Sequence, residues 1–238
     1  MADLSVLMPV FNERDTVRGA IDQVLETNFP VDEVEIVVVD DGSTDGTDAV
    51  LDELGEDRRV QLLRHDRNRG KGAALRTALA HATGTYSAIM DADQEYEPAD
   101  TAALLNPLLE GKSAAVFGAR GFEAHSAYSF WYVIGNKAVT FAANLLYNSW
   151  ISDIMTGQKA LRTDLFRSLD LREAGFGIEP EITARLLQRS VRIYEVPVHY
   201  RARSRTEGKK LTALDGFRVI RTLLRCRFTR PAGRASAS

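Results

Sequence analysis

The sequence predicts an α/β fold: a mostly parallel central sheet with helices on both faces and an amphipathic helix at the C-terminal end. Three observations point there. Continuous apolar, β-branched runs alternate with amphipathic stretches through the first half of the chain, as strands and crossover helices do in a sheet buried on both sides. Carboxylates and turn-forming residues follow several of those runs, at the strand ends where ligands of such sheets bind. The chain's 238 residues, 45% of them hydrophobic, suffice for one substantial core.

The elements follow in order. Residues 4–10 (LSVLMPV) form a buried strand, and 14–26 a helix with apolar residues at helical spacing. The run EIVVV at 35–39 is a second strand, followed by a helix over 45–54 that Ser43 or Thr44 opens as cap. A strand at 60–63, a helix at 72–82, a strand at 86–90, a helix at 99–109 after Pro98 and a strand at 114–117 complete the alternation. Beyond that the pattern changes. Residues 128–150 are aromatic and apolar at helical spacing (Phe130, Trp131, Ile134, Ala138, Phe141, Leu145), which fits either core packing or a face against lipid. A helix at 181–189, an extended stretch at 192–200 interrupted by Pro197 and an amphipathic helix at 211–228 close the fold. That last helix is expected to turn Leu214, Phe217, Ile220, Leu224 and Phe228 inward and its arginines outward. Residues 231–238 (PAGRASAS) have the composition of a disordered tail, leaving a single domain over 1–230.

Composition excludes several classes. The single cysteine, Cys226, removes any internal disulfide framework and fits a reducing compartment, so the cytoplasm is the expected location. The first residues lack the basic region and cleavage signature of a secretory signal. The longest uncharged apolar stretch, 138–152, is shorter than the ~18–20 residues of a spanning helix. Net charge is −3 but unevenly placed: residues 199–238 hold 11 Lys/Arg against 2 Asp/Glu, so the rest of the chain is strongly acidic. The basic end points to an anionic partner, including peripheral contact with an anionic membrane surface. Nucleic acid is disfavoured, because the body is acidic and carries no recognition motif or stacking platform.

Three motifs carry chemistry. In "DADQE", Asp91, Asp93 and Glu95 crowd three carboxylates onto one short loop after a buried strand. Such oxygens repel one another unless a cation joins them, and they suit Mg2+ or Mn2+ with substrate phosphates and water completing the shell. In "DDGSTDGT", Asp40 and Asp41 end a strand where Gly42 permits a tight turn, so a carboxylate can face a ribose diol or a base N–H. In "NRGKGAALR", Gly70 and Gly72 flank Lys71 at a helix start, a candidate anion site built from amide N–H groups and the helix dipole. The spacing matches neither a Walker A loop nor GxGxxG, which counts against kinase and dehydrogenase readings.

Taken together, "SVLMPVFNERDTV … EIVVVDDGSTDGT … NRGKGAALRTAL … DADQEYEP … FGAR … DIMTGQKALR … FGIEPEITARL … RIYEVPVHYRARSRTEGKKL" resembles a family 2 glycosyltransferase of the Rossmann-like GT-A fold. The branch it is most similar to contains the polyprenyl-phosphate (dolichyl-phosphate) mannose and glucose synthases, and the resemblance covers roughly residues 4–228. It implies a nucleotide-sugar-binding half over 1–120 and an acceptor-binding half over 121–230. It implies that Pro9, Phe11, Glu13, Asp40 and Asp41 hold the nucleotide of a UDP- or GDP-sugar, with Asp91 and Ala92 near the ribose. Asp93 would ligate the metal at the diphosphate, joined by Asp91 and by Glu95, which stands where relatives often carry Gln. Arg120, Arg203, Lys209 and Lys210 would bind phosphate.

The implied reaction inverts the anomeric carbon, with the metal and cations stabilising charge on the departing nucleotide. A polyprenyl phosphate acceptor is already ionised at neutral pH. A soluble hydroxyl acceptor, the alternative, needs a general base, for which Asp153, Glu179 and Glu181 are candidates. A sugar-nucleotide-binding protein without catalysis is the second alternative. Where mannosyl synthases of this branch present Arg-x-x-x-Ser, this chain has Asn136 and Thr140, and the interval from Arg203 to Lys210 is one residue longer.

Overall fold

A computed structural model of the chain describes residues 3–121, 130–201 and 213–229. Seven strands form one sheet in the order β3-β2-β1-β4-β6-β5-β7. These are β1 (Leu4–Val10), β2 (Val34–Asp40), β3 (Val60–Arg64), β4 (Tyr86–Ile89), β5 (Ala115–Arg120), β6 (Lys159–Arg162) and β7 (Ile193–Val198). Only β6 runs against its neighbours, β4 and β5; all other pairings are parallel. The alternation predicted for the first half is therefore present, and β6 is an addition that the sequence pattern did not announce.

Both faces of the sheet are covered, as the β-branched runs require. Along β1 and β2, Val6, Met8, Ile36 and Val38 pack into one cluster, together with α1 (Val17–Glu26), α2 (Thr47–Leu54) and α4 (Pro98–Leu109). Their neighbours Leu7, Val37 and Val39 point to the other face, against α3 (Lys71–His81), α6 (Thr163–Ser168) and α7 (Ile178–Gln188). This period-two alternation fixes the register, because a one-residue slip would exchange the two faces. Each such fully buried side chain contributes about 1.5–3 kcal/mol relative to exposure.

A third cluster joins α7 to α5 (Phe130–Tyr147) and α8 (Ala213–Phe228) through Val139, Ala143, Ala184, Val219, Leu223 and Cys226. Here the sequence reading of α8 needs correcting. Phe217 is 77% exposed and Phe228 83%, and Leu224 is also exposed, whereas Val219, Thr222, Leu223 and Cys226 are buried. Of the residues expected inward, Ile220 packs against this cluster, and the face that α5 and α7 cover is the one carrying Val219, Leu223 and Cys226. The Leu214 side chain lies outside the described residues. No helix among the described residues is long and apolar enough to cross a membrane.

Candidate active site

The parallel register brings the carboxyl ends of β1, β2 and β4 to one edge, with Val10 opposite Asp40 and Leu7 opposite Ile89. The loops that leave this edge are laced together. Asn12, with φ 55°, donates its amide to Ser43 Oγ (3.0 Å) and accepts from the Thr44 amide (2.8 Å). Glu13 N donates to Thr47 Oγ1 at 3.0 Å. Ser43 and Thr44 therefore fasten the first loop, and the start of α2 is instead held by Asp45, which accepts from Thr47 N and Oγ1.

Asp41 explains the glycine-lysine-glycine segment. Its buried carboxylate accepts from Arg69 N (2.9 Å) and Gly70 N (2.7 Å), and His65 Nδ1 donates to it at 2.6 Å. The anion gripped by these amides is the chain's own. Gly70 sits at φ +94°, and a Cβ there would lie 2.5 Å from the Ala174 carbonyl oxygen; at Gly72 it would lie 2.3 Å from that of Glu173. Both positions thus need glycine for close packing on the 173–175 segment, where Ala73 N donates to Ala174 O. The consequence is that Lys71 enters the cavity.

That cavity, about 390 Å3, is lined by Pro9, Phe11, Glu13, Asp41, Ala92 and Arg120, and by all three carboxylates of the acidic loop, Asp91, Asp93 and Glu95. Asp40 lies instead in an adjoining cavity beyond Phe11 and Asn68. Lys71 Nζ bridges Asp91 (2.8 Å) and Glu179 (2.7 Å). Burial disfavours its charge, but the two carboxylates outweigh that and hold the ammonium above its ordinary pKa. A Cβ on Gly157 would stand 2.8 Å from Asp91 Oδ2, so that glycine makes room for the acidic loop.

Asp91, Asp93 and Glu95 do not converge into a metal shell of their own. Asp91 is taken by Lys71, Asp93 Oδ1 accepts from Glu95 N (3.0 Å), and Glu95 Oε2 accepts from Tyr200 Oη (2.9 Å). Among the described residues no group of three such side chains is arranged to hold a metal ion. The oxygens present still suit a hard cation of the kind that takes one or two carboxylates and completes its shell with substrate phosphate and water.

Arg120 ends β5 and reaches the cavity from the other side. Its Nε and Nη2 donate to both Asp153 oxygens, at 2.5 and 2.9 Å, and its guanidinium carbon lies 4.9 Å from the Tyr200 ring centroid. Tyr200 in turn packs on Tyr96 at 5.1 Å. Asp153 is 1% exposed, is outside the cavity lining, and also accepts from Asn136 Nδ2 (3.3 Å) and Met155 N (3.0 Å). Burial pushes its carboxyl up, yet the hydrogen bonds and charge of Arg120 prevail and hold it below the ordinary carboxylate value. Asp153 thus orients Arg120. Asn136 and Thr140, the departures noted in the sequence, both pack around the Asp153 segment, Thr140 Oγ1 accepting from Ile154 N at 3.5 Å.

The remaining candidates separate. Glu179 lines the cavity, whereas Glu181 is turned away, accepting from Arg172 N, Glu173 N and Arg225. Arg203, Lys209 and Lys210 lie outside the described residues. Lys159, not anticipated, is fully buried beneath the site, donating to Ile154 O (3.3 Å) and to Thr156 O, with its ammonium 4.7 Å from the Phe117 ring centroid. Burial lowers its pKa to about 7, against the opposing pull of Glu179 and Asp153. Tyr96, Tyr200 and Phe176 were also missed as lining residues. Only spatial proximity identifies them, since the two tyrosines lie more than a hundred residues apart in the sequence.

Comparison with known proteins matches this architecture. A family model for glycosyl transferase family 2 covers residues 5–170. Glycosyltransferase AglJ of Haloferax volcanii is 29% identical over 82% of this chain and 62% of its own length. Polyprenol monophosphomannose synthase of Mycolicibacterium smegmatis is 29% identical over 83% of this chain and 77% of its own. Dolichol-phosphate mannosyltransferase of Pyrococcus furiosus is 28% identical over 87% of this chain, which spans 58% of that protein. Among solved structures, glucosyl-3-phosphoglycerate synthase of Mycobacterium tuberculosis, in complex with Mn2+, UDP and phosphoglyceric acid, shares the fold with a TM-score of 0.71. It is 24% identical, with 98% of this chain and 81% of that one covered. A GT-A sheet whose strand ends gather these carboxylates, together with a family match over most of the chain, leads to one assignment: this chain belongs to glycosyl transferase family 2 and is a glycosyltransferase.

Proposed function

We propose that the chain moves a hexose, with inversion and with a divalent cation (Mg2+ or Mn2+), from a UDP- or GDP-sugar to a polyprenyl phosphate at the cytoplasmic membrane face. The observation that carries this reading is that Asp93 and Arg120 line one cavity, with Asp153 withdrawn behind Arg120. The nucleotide would enter along Pro9, Phe11 and Glu13, with Asp40 in the adjoining cavity available to a base or ribose donor. Asp93, with Asp91 beside it, would hold the cation, which neutralises charge on the diphosphate as the glycosidic bond breaks. Arg120, fixed edge-on by Asp153 and face-on by Tyr200, needs no reorganisation to meet developing negative charge. Arg203, Lys209 and Lys210 are proposed to supply further cations to phosphate.

The names of two relatives, a polyprenol monophosphomannose synthase and a dolichol-phosphate mannosyltransferase, support a lipid-phosphate acceptor. So does the ion pairing of the candidate bases. Asp153 is committed to Arg120, and Glu179, which does face the cavity, is paired with Lys71. An acceptor that is already ionised has no need of either. The second reading, a soluble acceptor, draws on glucosyl-3-phosphoglycerate synthase, which shares the fold and was solved with phosphoglyceric acid.

A thermal-shift panel of UDP-, GDP- and dTDP-sugars, with and without Mn2+, tests the donor half of the proposal, because a ligand that binds only the folded form raises its stability. One nucleotide class is expected to give a metal-dependent shift that Asp93→Ala removes. An undiminished shift in Asp93→Ala would defeat the metal assignment.

A further inference from the structure

Large apolar side chains that remain exposed are not scattered over the molecule. Of the ten such residues among those described, four lie on α5, three on α8, and Trp150 follows α5 directly. On α5 they are Phe130, Ile134, Phe141 and Leu145, which at 3.6 residues per turn fall within about 60° of arc on the side opposite buried Val139 and Ala143. On α8, Phe217, Leu224 and Phe228 fall within about 40° of arc, opposite buried Val219, Leu223 and Cys226. The two helices pack on one another and on α7 through those buried residues, so each apolar stripe faces away from the cluster. A concentration of this kind marks an interaction surface.

Charge selects the occupant. Arg221 lies about 20° beyond one edge of the α8 stripe, and Arg218 and Arg227 flank it more widely on its two sides; all three are exposed. Lys137 is exposed about 20° beyond one edge of the α5 stripe; α5 carries no acidic residue and α8 carries one, Asp215 in its first turn. An apolar stripe bordered by arginines is the pattern of a helix lying in an anionic lipid interface, with its hydrophobes sunk among acyl chains and its cations at the headgroups. The indole of Trp150, 89% exposed, suits the same depth. A symmetric pairing of two copies through this patch would instead set the same arginines against one another.

We propose that the outer faces of α5 and α8 form a surface that seats the protein on an anionic lipid bilayer. This deepens the lipid-phosphate reading and rests on it for its purpose. The inner face of α5 carries Asn136, which donates to Asp153 behind Arg120, so the helix that meets lipid also braces the cavity wall.

The test uses the full chain, sedimented with vesicles of phosphatidylcholine alone or with one-third phosphatidylglycerol, and needs no turnover. Binding is expected only to the anionic vesicles, weakened by 1 M salt. Phe141→Ser with Leu145→Ser, and separately Phe217→Ser with Phe228→Ser, should each lower partitioning about tenfold or more without changing the circular dichroism spectrum. Arg221→Gln with Arg227→Gln should lower it less and reduce the salt dependence. Absence of binding to anionic vesicles at low salt, or binding indifferent to all three double variants, would overturn the proposal. A wild-type dimer that these substitutions convert to monomer would overturn it in favour of a contact between copies. Anionic-vesicle binding combined with transfer only to a soluble acceptor would defeat the acceptor reading and still support the surface.

Discussion

The two halves of the cavity are held by different physics. On the side of β1 to β4, the structural carboxylates are anchored mainly by backbone amides: Asp41 by Arg69 and Gly70, with His65 Nδ1 as a third donor, and Asp40 by Ser43. On the side of β5 and β6, buried side-chain charges hold one another, Arg120 with Asp153, while Lys159 donates to the carbonyls that precede its own strand. Amide anchoring depends on local loop conformation and is robust to the loss of one partner's charge. A buried ion pair is not, because each ion has given up its hydration and relies on the other. The difference predicts that the side of β5 and β6 is the fragile one.

Matched substitutions probe this with the largest expected effect. Asp153→Asn leaves the Arg120 guanidinium buried without a counter-charge and should cost about 3–5 kcal/mol of unfolding free energy in denaturant melts. Asp41→Asn leaves one donor unpaired and should cost about 1–3 kcal/mol. Joint replacement, Arg120→Met with Asp153→Leu, should recover most of the stability while abolishing transfer, since burial of an ion pair contributes little net stability. Equal costs for the two single variants would erase the contrast.

A smaller, pH-dependent effect sharpens it. Lys159 has a pKa of about 7 when folded, below the 10.5 of a free lysine, so between those values the unfolded chain binds a proton that the folded chain does not. Folded stability conferred through this group therefore rises with pH across that window and is lowest below pH 7. Lys159→Met removes the titration, so its melting temperature relative to wild type should be most favourable near pH 6 and decline toward pH 10. A difference that stays flat over that range would mean that Lys159 keeps its ordinary pKa.

Legibility in the sequence divides along the same line. β1 to β5 were readable because parallel strands buried on both faces are written as continuous apolar runs, and because the carboxylates that follow them must lie at one sheet edge. The lining by Glu13, Asp41, Asp91 and Asp93 follows from that rule, whereas Pro9 and Phe11 were implied by the family resemblance. β6 escaped because it is only four residues, KALR, opening with a lysine whose burial depends on carbonyls five and three residues earlier. The inner face of α8 was misjudged because amphipathicity shows that a helix has an apolar stripe but not what covers it. In "NRGKG" the amides were legible as anion ligands, yet nothing local says that the anion is Asp41. Lys71 meets Glu179 across more than a hundred residues, a partnership visible only once α3 and α7 are placed on one face.

The central proposal is that a cavity whose candidate bases Asp153 and Glu179 are both ion-paired serves an acceptor that arrives ionised. Product formation from one labelled sugar nucleotide, measured in parallel with a polyprenyl phosphate, the corresponding polyprenol and 3-phosphoglycerate, tests this most directly. Sugar should appear on the polyprenyl phosphate and on neither hydroxyl acceptor. Transfer to the polyprenol or to phosphoglycerate at a comparable rate would contradict it.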